Sequence, residues 1–313
     1  MTFKCKFVET IVMDKLITGT AADGTVRFMA AITTDIANEA MRRHQTSLTV
    51  TAALGRVMTG TLLLGASHKE FDRLTVKIEG EGAVGGITAE ADANGNVRGY
   101  VKNPQVELPP NNNGKFDVAG IVGKGMFYVI RESGFEIGLH REPYVGSVPI
   151  VSGEIAEDFA YYLAKSEQIP AAVLLGVLMS NSAENSEPFA KASGGVMLQM
   201  LPGANEHIIT IIEDTINHAP HVTSVISDGA EAKDLVKLAL GEIDFEILEE
   251  KEVKFECNCS FERAVLLISS LGREEVASML AEDKGAKMTC GFCNELYTLD
   301  EANLQEMLDS EMN

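Results

Sequence analysis

The chain reads as an α+β protein, with a β-rich antiparallel N-terminal body and crossing helices, a helical middle segment, and a small C-terminal four-cysteine zinc module. Three observations predict this. From Lys15 onward, short alternating runs follow one another with turn residues between them, which is antiparallel patterning rather than βαβ. From Pro202 the apolar spacing changes to that of short helices. Four of the five cysteines then crowd into Cys257-Asn258-Cys259 and Cys290-Gly291-Phe292-Cys293.

The body opens with a hairpin. Lys15–Ala21 and residues 25–33 flank Asp23-Gly24, a dipeptide suited to a tight turn. Residues 35–44 are helical and close on Arg42-Arg43-His44, a basic end that complements the helix dipole. Ser47 opens a second helix, Leu48–Ala66, so poor in polar positions that it crosses the core. Residues 74–78 alternate as a strand. Gly80, Gly82, Gly85 and Gly86 lead from it into Ile87–Asp92, another strand and not a helix, so they predict a hairpin turn rather than a phosphate cradle. Asn94-Gly95 turns the chain into residues 97–101, and residues 104–113 form a polar loop. Strands resume at 126–130 and 145–151. Ser152-Gly153-Glu154 caps a helix with Ile155, Phe159, Tyr162 and Leu163 on its apolar side, ended by Pro170. Residues 173–179 and 196–201 are strands around a polar loop, 180–192.

In the middle segment, Ile208, Ile209, Ile211, Ile212 and Ile216 mark a helix over 205–218. Pro220 and Gly229 separate it from another over 230–240. Residues 241–252 are acidic and predict a short hinge into the cysteine module.

The cysteine spacing is C-x-C, thirty residues, then C-x-x-C. Two close pairs held apart by a folded segment suit one zinc ion with Cys257, Cys259, Cys290 and Cys293 as its ligands. Residues 253–257 alternate as a strand, which would send Cys257 and Cys259 to one face. Gly291 is free to take the tight turn of the second pair. Residues 261–270 and 274–282 are helical, broken at Gly272, and Asp300 caps a last helix. Four thiolates fill a zinc shell and leave no position for a reactive water. A purely structural zinc site stays open on spacing alone. Thiols this close can also join to each other. Oxidation would then consume the zinc ligands and loosen a module too small to fold without its metal.

The 313 residues, 45% hydrophobic, suffice for a core and an appendage. The net charge of −20 repels phosphate backbones and argues against nucleic-acid binding, the usual partner of a zinc knuckle. No apolar run reaches the length of a membrane span, and Met1-Thr2-Phe3-Lys4-Cys5-Lys6 lacks a signal-peptide core, which points to a reducing cytosol. Cys5 stands alone as an unremarkable thiol. His44, His68, His140, His207, His218 and His221 are scattered, with His218 and His221 reading as a helix end. No G-x-S-x-G elbow occurs. The enzyme alternative is a zinc-dependent thiol-disulfide oxidoreductase with Cys290 or Cys293 as a low-pKa thiol, but its βαβ context is missing.

Several segments together carry a resemblance. The most specific are Cys257-Asn258-Cys259-Ser260 with Glu262-Arg263, and Cys290-Gly291-Phe292-Cys293-Asn294-Glu295. With them go Ala91-Asp92-Ala93-Asn94-Gly95 leading to Arg98-Gly99-Tyr100-Val101, and Val151-Ser152-Gly153-Glu154-Ile155-Ala156-Glu157-Asp158. Ser166-Glu167-Gln168, Leu201-Pro202-Gly203-Ala204 and Arg42-Arg43-His44 complete the set. From about Met13 on, the chain resembles the 33-kDa chaperonin family of redox-regulated heat-shock holdases. The resemblance implies a cytoplasmic, ATP-independent chaperone of the oxidative stress response that is not an enzyme and is inactive while reduced and zinc-bound. It implies that oxidation forms redox-active disulfides Cys257–Cys259 and Cys290–Cys293, and that zinc leaves. The zinc module and helical middle then unfold, homodimers form, and unfolding client proteins are held. Neither nucleic acid nor membrane is an expected partner. Four domains follow: a leader 1–12 outside the resemblance, a β-rich core domain 13–201, a helical linker region 202–250, and a zinc-binding redox-switch domain 251–313. Phe261 stands where the family often has a basic residue, which bears on packing of the zinc module and not on ligation.

Overall fold

The computed structural model describes residues 13–68, 73–112, 114–133, 142–180 and 188–310. The leader with Cys5, and His140, lie outside these residues. The chain forms two compact units, Met1–Phe255 and Glu256–Asn313.

In the first unit, β1 (Lys15–Ala21) and β2 (Val26–Ile32) form the expected hairpin. Its turn passes through Ala22, Asp23 and Gly24, all at positive φ. Helices α1 (Thr34–His44) and α2 (Leu48–Ala66) follow. Next come β3 (Arg73–Gly80), β4 (Ile87–Asp92), β5 (Asn96–Val101) and the short α3 (Val118–Val122). Then β6 (Gly125–Glu132), β7 (Tyr144–Pro149), α4 (Ala156–Lys165), β8 (Ala171–Met179) and β9 (Ala190–Met200) complete the body. The middle holds α5 (Glu206–His218), α6 (Val222–Ser227) and α7 (Ala232–Leu240), followed by β10 (Phe245–Glu252) and β11 (Lys254–Phe255).

Among the described residues of this unit the strands make two sheets, ordered β10-β1-β2-β9-β8 and β11-β5-β4-β3-β6-β7. All pairs are antiparallel except β11 with β5. The apolar helix α2 packs on both sheets, and Leu54, Met58 and Leu63 sit in one core with Met29, Val76, Phe127 and Met197. Three of its threonines are satisfied locally. Thr51, Thr59 and Thr61 donate their hydroxyls to the carbonyls of Ser47, Gly55 and Val57, four residues back, at 2.7, 2.8 and 2.7 Å. By length and composition α2 could cross a bilayer, so the expectation that no apolar run reaches that length fails. Yet 89% of its apolar window is buried inside the protein.

The opposite face of the first sheet carries the helical middle. Phe28, Ile32, Val196 and Leu198 pack there against Ile226, Leu235, Val236 and Leu240. The basic end of α1 behaves as expected, with Arg42 and Arg43 both paired to Glu39 at 2.7 and 2.6 Å.

Three local readings need correction. The acidic stretch 241–252 is no hinge, because its last eight residues form β10 and pair with β1 from Lys15↔Glu252 to Ala21↔Phe245. Acidic side chains misled the reading, since an edge strand keeps them in solvent while its backbone is paired. Second, strand geometry covers only Lys254–Phe255, so Cys257 and Cys259 lie in irregular backbone beyond it. Third, β9 begins at Ala190, inside the loop expected over 180–192, because Asn38 Oδ1 accepts the Ala190 N–H at 2.7 Å and anchors it.

Candidate metal centre

The second unit is small. It holds α8 (Phe261–Ser269), α9 (Arg273–Glu282), a hairpin of β12 (Gly285–Thr289) and β13 (Leu296–Asp300), and α10 (Glu301–Ser310). Its core is Ile268, Val276, Leu299, Leu304, Met307 and Leu308. The helices lie where the apolar spacing predicts them, whereas the hairpin has no counterpart in the sequence pattern.

Each cysteine pair is held by its own local device. Ser260 caps α8 by accepting the Arg263 N–H at 3.2 Å. The Arg263 guanidinium reaches back to the Asn258 carbonyl at 2.6 Å, which fixes the C-x-C segment between the two thiols. The C-x-x-C pair sits in the turn of the β12–β13 hairpin. There the Cys290 N–H meets the Glu295 carbonyl, and the Asn294 N–H meets the Cys290 carbonyl, both at 2.9 Å. The left-handed residue of this turn is Asn294, at φ 60, and not Gly291. Asparagine tolerates that conformation, so the turn does not need the glycine.

The four sulfurs converge. Cys257, Cys259, Cys290 and Cys293 place their Sγ atoms within 4.8 Å of one another. Cys257 and Cys290 are 3.7 Å apart, and Cys259 and Cys293 are 3.3 Å apart. A zinc–thiolate bond of about 2.3 Å puts tetrahedral sulfurs roughly 3.8 Å from each other, so the donor set fits a tetrahedral thiophilic ion. Cys293 is buried and the other three are half-buried. This is the single group of potential metal donors found among the described residues. His218 and His221 do not form another, since His218 bonds back to Asp214 in α5 and His221 meets Lys115.

The thiols differ in acidity. Burial pushes Cys290 up, but the backbone N–H groups of Cys293 and Phe292 and the neighbouring thiols outweigh it and bring it down to about 7. Burial pushes Cys293 well above the usual thiol range, and the neighbouring thiols add to this. A residue that the cysteine spacing does not signal also touches the site. Tyr297, paired with Met288 across the hairpin, donates its hydroxyl to Cys259 Sγ at 3.0 Å. That bond holds the phenol proton above its ordinary range.

The Hsp33 protein family model covers residues 14–300. The chain belongs to the Hsp33 family. It is 47% identical over 299 residues to the 33 kDa chaperonin of Listeria monocytogenes, covering 95% of this chain and 98% of that one. The 33 kDa chaperonin of Desulforamulus reducens is 43% identical, with 94% and 97% covered. The crystal structure of the Thermotoga maritima 33 kDa chaperonin, a heat shock protein 33 homolog, superposes with a TM-score of 0.85 at 35% identity, covering 96% of this chain and 99% of that one. Hsp33 membership makes the chain a chaperone by kind. The α+β architecture is that of its Hsp33 neighbour.

Proposed function

We propose that this chaperone is an ATP-independent holdase switched by oxidation of Cys257, Cys259, Cys290 and Cys293. The observation that carries the proposal is the convergence of four sulfurs in a unit whose own core is six buried residues. In the reduced state the four thiolates hold zinc. Bound zinc would supply the charge that keeps them deprotonated and the cross-link that folds the unit. Oxidation joins Cys257 to Cys259 and Cys290 to Cys293, removes the ligands, and loosens the unit. In this division residues 251–313 act as the switch, 202–250 as the linker that loosens with it, and 13–201 as the stable body. Loosening of α5–α7 would uncover Ile226, Leu235, Val236 and Leu240, an apolar surface of the kind that captures unfolding clients. The active form works as a homodimer in the cytoplasm during oxidative stress, without enzymatic turnover and without nucleic-acid or membrane partners.

The test is client aggregation after peroxide and mild heat, with metal release and thiols counted together. About one zinc released as four thiols vanish, with aggregation suppressed, is the expected result. Retained metal and protected thiols would overturn it. The low pKa of Cys290 in a C-x-x-C pair favours a second reading, thiol-disulfide exchange. Turnover of a disulfide substrate at catalytic protein levels would establish that instead.

A further inference from the structure

We propose that Tyr297 is a positioning residue of the thiol switch: its hydroxyl hydrogen bond to Cys259 sets how readily the C-x-C pair is oxidised. This rests on the redox reading above and deepens it. The bond is 3.0 Å long and comes from β13, outside the segment that carries Cys259. The Met288↔Tyr297 register of the hairpin fixes where the phenol stands. Cys290 differs, because it receives donors from the backbone of its own turn. A side-chain donor can be removed by substitution, and a backbone donor cannot.

The consequence follows from the oxidation step. The Cys259 thiolate attacks a hydroperoxide; an S–O bond forms, the O–O bond breaks, and the departing oxygen takes up a proton. The Cys257 thiol then attacks the sulfenic sulfur; the S–S bond forms, the S–O bond breaks, and water leaves. Two thiols thus give two electrons to one peroxide. The first attack uses a sulfur lone pair, and an O–H donor to that sulfur stabilises the charge the attack must spend. The same donor orients the thiolate as a metal ligand, in the manner of outer-shell partners generally.

Y297F in the full-length, zinc-loaded protein removes the hydroxyl and keeps the ring. Alkylation is followed cysteine by cysteine with mass spectrometry, and the thiolate charge-transfer bands of the cobalt-substituted protein are recorded beside it. The expected result is labelling of Cys259 faster by about tenfold, the low end for loss of an outer-shell partner. The other three thiols keep their rates, and the cobalt bands shift. An unchanged Cys259 rate, or an equal rise at all four cysteines from general loosening, overturns the proposal. A wild type whose metal and thiols survive peroxide defeats the redox reading itself. A wild type that switches beside an indistinguishable Y297F defeats only the role of Tyr297.

Discussion

Asp14 Oδ2 accepts the backbone N–H of Ile36 at 2.8 Å, and its Oδ1 accepts that of Asp35 at 3.1 Å. The residue lies just before β1, yet it caps α1, whose own N-cap Thr33 makes no side-chain cap bond. Its carbonyl also accepts the Val253 N–H at 3.1 Å, so one residue ties the start of the body to the end of β10.

This carboxyl should leave a mark on the pH dependence of stability. Burial raises its pKa from 3.8 to about 7, against the pull of the two N–H donors. Below pH 4 it is protonated in folded and unfolded chains alike. As pH rises from about 4 to 7 the unfolded chain loses this proton first, so stability falls through that window, by at most about 4 kcal/mol. In Asp14→Asn nothing titrates there. The urea midpoint of wild type relative to D14N should therefore drop between pH 4 and 7, and a flat difference would rule out the raised pKa.

Asp158 holds a tighter cluster. It is 1% exposed and accepts the N–H groups of Val151, Ser152, Gly153 and Ile155 at 2.8, 3.0, 3.0 and 3.1 Å. Ile155 sits at φ 77, a strained position that these bonds hold in place. Asp158→Ala leaves the donors unsatisfied and should destabilise the body by about 3–5 kcal/mol in equilibrium unfolding. A loss under about 1 kcal/mol would show that water replaces the carboxylate.

Gly19 permits β10 to pair. The β1–β10 register shifts between Thr18 and Gly19, and a Cβ at Gly19 would collide with the Glu246 carbonyl oxygen and the Phe28 ring. Gly19→Ala should detach β10 from its first residues onward. Hydrogen exchange would then speed up across Phe245–Glu252 while β2 and β9 stay protected. Unchanged protection of β10 counts against this account.

Metal removal should act on the second unit and spare the body. A core of six residues cannot hold fifty-eight in place by itself, and bound zinc is worth about 10–16 kcal/mol in comparable peptides. A strong chelator under reducing conditions should make residues 256–310 protease-sensitive, loosen the linker 202–250 with them, and leave the body 13–201 protected. Protease resistance that survives chelation would mean the six-residue core suffices.

Much of the fold could be read from the residues, for identifiable reasons. The hairpin at Asp23-Gly24, the helix after Ser47 and the break at Gly272 each follow from local chemistry that tertiary packing does not override. The convergence of Cys257, Cys259, Cys290 and Cys293 was legible because paired cysteines have few other uses. β10 was not legible, since its partner β1 lies more than two hundred residues earlier in the chain and its side chains face solvent. The β12–β13 hairpin was masked by the cysteine turn inside it. Tyr297 carries no spacing signal, because its approach to Cys259 depends on cross-strand register.

Helix α2 has a consequence for how the chain comes off the ribosome. The strands that cover it include β8 and β9, and the last of these ends at Met200. At 5–20 residues per second, an apolar nineteen-residue segment waits on the order of ten seconds before its cover has been synthesised. During that interval it is as sticky as the segments a chaperone exists to shield. A protein of this kind therefore begins its own life as a client.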